Sequence, residues 1–123
     1  MKKYAVILLL SSTSHIYADV PSEQQHEVQH LMNFVKSSAC QIVRNGSAHN
    51  AADALEHIQK KYDYFKGDIS TSEEFIDYSA TKSTMTGWYY FVECKGKERV
   101  KTKDWLLQEL QRYRIKQETP ATS

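Results

Sequence analysis

The sequence predicts a mainly helical α+β fold, with about four helices and one two-stranded β-hairpin around a single core, closed by one disulfide. Three observations carry this expectation. Apolar residues recur at three- and four-residue steps through most of the chain beyond residue 19. The period changes to alternation between Trp88 and Cys94. Two cysteines, Cys40 and Cys94, lie far apart in the chain.

Residues 1–18 read as a cleavable secretory signal. Lys2 and Lys3 supply a positive start, Tyr4 to Leu10 a short apolar stretch, and Ala18 a small residue at the cleavage position. The stretch falls well short of the roughly 20 apolar residues that span a bilayer, so no stable membrane insertion is expected. Cleavage leaves a single globular domain over 19–116 and a disordered tail over 117–123. It also removes two of the 16 Lys and Arg and none of the 15 Asp and Glu, so the formal charge stays near zero. That balance argues against general nucleic-acid binding, which draws on a broad basic surface. The expected compartment is the bacterial periplasm, where two cysteines usually pair, so Cys40 is expected to bond to Cys94.

The first helix opens at Ser22, with Gln25 at the capping-box spacing. Val28, Leu31, Met32, Val35, Ala39 and Ile42 keep helical spacing, and Asn45-Gly46 ends the helix because that pair takes left-handed and turn conformations. Asn50 with Asp53 begins a second helix, striped by Leu55, Ile58, Tyr62 and Phe65 and ended by Gly67. Ser70, Thr71, Glu73 and Glu74 start a third, with Phe75, Ile76, Tyr78 and Ala80 on its core side. Trp88, Tyr90, Val92 and Cys94 then form the buried face of a strand, and Tyr89, Phe91 and Glu93 its other face. Lys95-Gly96 turns the chain and Lys97 to Lys101 returns as the second strand. A last helix, starting near Thr102 to Asp104, buries Trp105, Leu106, Leu107, Leu110 and Tyr113.

No catalytic signature stands out. Glu23, His26, Glu27 and His30 share one helical stripe, and His26-Glu27-Val28-Gln29-His30 has the spacing of a zinc-protease helix. No third ligand follows at a fixed offset, and the stripe points away from Val28, Leu31 and Val35, so it reads as a solvated face. His26, His30 and Glu27 remain the candidate ligands for the alternative, a metal-binding protein or small metal-dependent hydrolase. No cofactor is expected. Lys95, Lys97, Arg99, Lys101 and Lys103 occupy every second position and would share one face of an extended segment, suited to an anionic partner. Lysines on an edge strand also guard against aggregation. Ser79, Thr81, Ser83, Thr84 and Thr86 form a polar connection that serves as caps or meets a ligand. His57 reads as structural, and Arg44 either anchors an anion or bonds the carbonyls of its turn.

Taken in order, several motifs are similar to a family of small exported bacterial proteins known as domain of unknown function 5329. They are Cys40 before Arg44-Asn45-Gly46, Ala51-Ala52-Asp53-Ala54 with His57 and Lys61-Tyr62, and Glu74-Phe75-Ile76. Ser83-Thr84-Met85-Thr86-Gly87, then Tyr90, Val92 and Cys94, then Trp105-Leu106 with Leu110 complete the set. The resemblance runs from about Glu23 to Arg114. It implies export and paired cysteines, and brings no activity, substrate or catalytic residue. The expectation is therefore a non-catalytic periplasmic interaction module. Its partner would be a periplasmic protein or an anionic envelope component, met by Tyr89, Phe91, Arg99, Lys101, Ser83 and Thr84.

Overall fold

The computed structural model describes residues 19–119; the signal reading of residues 1–18 and the end of the tail, 120–123, lie outside them. A 3-10 turn at Ser22–Gln24 leads into α1, Gln25–Ser37. No side chain caps that end; Gln25 instead donates from its side-chain amide to the Val20 carbonyl at 2.7 Å. Two short strands follow, β1 (Gln41–Arg44) and β2 (Ser47–His49). The remaining elements are α2 (Ala51–Phe65), α3 (Ser72–Ala80), β3 (Phe91–Glu93), β4 (Val100–Lys101) and α4 (Thr102–Glu118). Gln117 and Glu118, expected in the tail, belong to the last helix.

The mixed α+β class and the four helices hold, but the sheet is larger than the sequence suggested. It is four-stranded and antiparallel, in the order β2-β1-β3-β4. The first helix stops at Ser37 instead of running to Ile42. Ala39 takes φ +57°, which breaks the helical path, and Ile42 then enters β1. Asn45-Gly46 is no helix stop. Its φ values of +49° and +81° make it the two-residue loop of a hairpin in which Arg44 faces Ser47. The return arm is also shorter than expected. Only Val100 and Lys101 pair with β3, opposite Val92 and Phe91, while Gly96 at φ +76° turns the chain.

The local start signals of two helices are realised. Asn50 Oδ1 accepts the Asp53 N–H at 2.8 Å at the head of α2. At α3, Thr71 Oγ1 accepts the Glu74 N–H at 3.0 Å while Glu74 Oε1 accepts the Ser70 N–H at 3.3 Å.

The strand register decides what each sheet face presents. Ile42 lies opposite Val92 and both are buried, so this face meets the core of Leu31, Ile58, Phe75 and Leu106. α2 packs on β1, and α4 on β3 and β4. Val43 lies opposite Phe91 on the other face. The Cys40–Cys94 disulfide, with Cα atoms 4.4 Å apart, ties the start of β1 to the end of β3. Trp88 does not join the buried face: it is 62% exposed, whereas Tyr90 and Val92 are buried. Tyr78 is 38% exposed, and Trp105, Leu107 and Tyr113 are only half-buried.

Candidate interaction surface

On the sheet face turned away from the helices, Val43, Trp88, Tyr89, Phe91 and Arg99 line a cleft of about 450 Å³ with the Asn45-Gly46 turn and Gly87. Val43 is buried at its floor, Phe91 is half-buried, and Tyr89 remains 44% exposed. The Arg99 guanidinium stacks 4.2 Å from the centre of the Phe91 ring, and the Lys101 ammonium stands 4.2 Å from that of Tyr89. Among the described residues, neither cation has a carboxylate within 4.0 Å. Sequence reasoning therefore placed Tyr89, Phe91, Arg99 and Lys101 together, but missed Val43 and Trp88.

The expected row of five cations is split. Lys97 lies by a second cleft, of about 600 Å³, with Cys94 and Trp105. Lys103 sits in the first turn of α4 and pairs with Asp77 at 2.9 Å. The extended segment is too short to keep all five side chains in register.

The loop before β3 is tied down by its own polar groups. The Ser83 N–H donates to the Trp88 carbonyl and the Gly87 N–H to the Ser83 carbonyl, both at 2.9 Å. Thr86 Oγ1 donates to Asn45 Oδ1 at 2.7 Å, and Asn45 Nδ2 donates to Ser83 Oγ at 3.4 Å. Ser83 is thus buried and its hydroxyl serves the loop, contrary to the expectation that it meets a partner. Thr84 is exposed, and Met85 at the tip is 95% exposed.

The first-helix stripe is a solvated face only in part: Glu23 and His26 are exposed, whereas His30 is half-buried and Glu27 is buried. Glu27 is only 7% exposed and accepts hydrogen bonds from Ser72 Oγ at 2.7 Å, Arg114 Nε at 2.8 Å and Arg114 Nη2 at 2.9 Å. The Arg114 bonds hold its carboxyl below the usual range against the opposing effect of burial. His30 Nε2 lies 2.6 Å from Glu109 Oε2, and His26 Nδ1 lies 2.8 Å from the Tyr113 hydroxyl. Glu27 is covered because α1 packs against both α3 and α4. Among the described residues, no three His, Cys, Asp or Glu side chains gather as a metal-binding set. Glu27 is committed to a guanidinium and a hydroxyl.

A polar chain runs between the sheet and α2. Lys61, 9% exposed, donates to the Lys82 carbonyl at 2.7 Å and to the Tyr90 hydroxyl at 3.3 Å. The same hydroxyl lies 3.2 Å from His57 Nε2. Burial, reinforced by the Arg44 charge, lowers Lys61 to about 8 and His57 to about 4. His57 is therefore neutral at pH 7.

A family model described as a family of unknown function (DUF5329) matches residues 22–114. The chain is similar to the uncharacterized protein YfeK of Salmonella typhimurium (strain LT2). The two are 34% identical over 93 residues, covering 73% of this chain and 77% of the relative. No solved structure matches.

Proposed function

The chain belongs to the DUF5329 family, a family of unknown function, and from its own surface we propose that it is a non-catalytic periplasmic interaction module. The outer face of its sheet receives an acidic, partly apolar segment of another exported protein. One observation supports this most directly: an uncovered aromatic cleft, floored by Val43 and Phe91, is flanked by cations that lack acidic partners among the described residues. Aromatic and arginine side chains around a desolvated pocket are the usual anchors of protein interfaces. The flanking charges would steer an acidic partner and fix its orientation. Export is supported by the disulfide, which persists in oxidising compartments, and by the pattern of Lys2 to Ala18. No helix of the described residues is long and apolar enough to cross a membrane.

The test is photo-crosslinking in cells from a benzoylphenylalanine placed at position 88, repeated in the Arg99→Glu/Lys101→Glu background with the fold checked by circular dichroism. A discrete protein adduct that fades in the charge-reversed variant supports the reading. An adduct indifferent to the reversal, or adducts only to lipid or glycan, overturns it.

A further inference from the structure

At the Asn45-Gly46 end of the sheet, the helix-facing side changes from apolar to basic. Ile42 points inward, and Arg44, two residues on, shares that face. His49 lies opposite Ile42 on the neighbouring strand. Together with Asp53, Glu56, His57 and Lys60 of α2, Arg44 and His49 line a cleft of about 240 Å³. We propose that this cleft is a binding site for a single phosphoryl group, gripped by Arg44 and the N–H of His57.

Two hydrogen-bond donors there lack acceptors. Arg44 Nε is buried and has no partner among the described residues. The second donor follows from the direction of the polar chain. Lys61 only donates, so the Tyr90 oxygen accepts from it and the Tyr90 hydroxyl proton is free to go to His57 Nε2. A neutral His57 that accepts at Nε2 carries its proton on Nδ1. That N–H has no acceptor among the described residues. Of these two, Arg44 Nε is the buried one; buried donors are normally satisfied, and one that is not calls for an unseen ion or water.

The charges point the same way. Arg44 and the buried Lys61 have no carboxylate within 4.0 Å among the described residues, and both act on His57. Of the two acids in the cleft, Glu56 is paired with Lys60 at 3.4 Å and is mostly exposed. Asp53 sits in the first turn of α2. An anion against Arg44 would neutralise a cation that now has no counter-charge. The planar guanidinium fork matches two oxygens of a phosphoryl group. At ~30 Å³ per water, the cleft has room for about eight water volumes, enough for one such group with a few waters.

The experiment is an NMR titration of the mature protein at pH 7, following Arg44 Nε–H and the His57 ring, with ionic strength held constant by sodium chloride. One arm adds inorganic phosphate and the other glycerol 1-phosphate. The expected result is a saturable shift of both groups. A tighter first arm indicates free phosphate as the natural ligand, and a tighter second arm indicates a phosphomonoester headgroup. Arg44→Gln should weaken binding at least tenfold with the Leu106 and Val92 amides unmoved, and Arg44→Lys should fall between. Shifts that never saturate, or that chloride reproduces, overturn the proposal. So does an Arg44→Gln variant that binds as the wild type does. If that variant misfolds, the wild-type titration decides alone.

Discussion

Glu27→Gln tests whether the first helix is held to the last by charge. The substitution keeps the shape of the side chain and removes only its charge. Glu27 is 7% exposed and takes two bonds from Arg114 and one from Ser72. Removing one partner of a buried ion pair costs roughly 3–5 kcal/mol when the other is left bare. Here the cost is smaller, because Arg114 is 37% exposed and keeps Glu73 at 2.8 and 3.1 Å. A loss of about 2 kcal/mol follows. At ~4–8 °C per kcal/mol for a domain near this size, the melting temperature should drop by about 10 °C. The assay is thermal unfolding of the mature protein at pH 7, with a double-mutant cycle to Arg114→Gln. The second substitution should cost less in the Glu27→Gln background than alone, by about 1 kcal/mol. A melting temperature within ~2 °C of wild type would refute the reasoning, since surface substitutions cost less than about 0.5 kcal/mol.

The disulfide links cysteines 54 positions apart, and its loss in Cys40→Ser/Cys94→Ser should cost roughly 4 kcal/mol in urea unfolding. Under oxidising native conditions, thiol titration should find no free cysteine. Gly46→Ala should cost about 1–2 kcal/mol from the backbone alone. Gly46 sits at φ +81°, and an added Cβ would meet nothing within 4 Å. Stability should fall as pH drops from about 6.5 toward 4, measured by urea midpoints in phosphate-free buffer. His57 titrates near 4 when folded and near 6.5 when unfolded, so over that range the unfolded chain takes the proton first. Below the ordinary carboxyl range, the lowered Glu27 and Glu109 add a further loss as they protonate.

α2, α3 and α4 were legible because their signals are local: Asn50, Thr71 with Glu74, and apolar stripes that need no distant partner. The first hairpin was hidden by coincidence. Ala39 and Ile42 fall on helical steps from Val35, and no residue type announces that Ala39 will take positive φ. Asn-Gly serves helix ends and hairpins alike, and the clue in favour of a hairpin was Ile42-Val43 just before it. Glu27 looked solvated because a single helix cannot show that it is covered on two sides. Its partner Arg114 lies 87 positions away. The outer cleft was half-legible for a similar reason. Tyr89, Phe91, Arg99 and Lys101 belong to one local hairpin, whereas Val43 arrives from the strand that was missed.

The two clefts depend on one register. The disulfide joins Cys40 to Cys94 beside the paired residues Gln41 and Glu93. From that pin, the two-residue period of a strand sends Ile42 inward, Val43 outward and Arg44 inward again. A slip of one residue would exchange the faces, carrying Arg44 to the aromatic side and Val43 among the basic groups of α2. The Asn45-Gly46 turn guards the same register from the other end, since a two-residue loop with both φ values positive admits only the pairing of Arg44 with Ser47. Apolar and aromatic groups on one side of β1, and an unpaired arginine on the other, therefore follow from two constraints at the ends of a four-residue strand. The disulfide acts on both clefts through the direction in which β1 aims its side chains, although neither Cys40 nor Cys94 lines either of them.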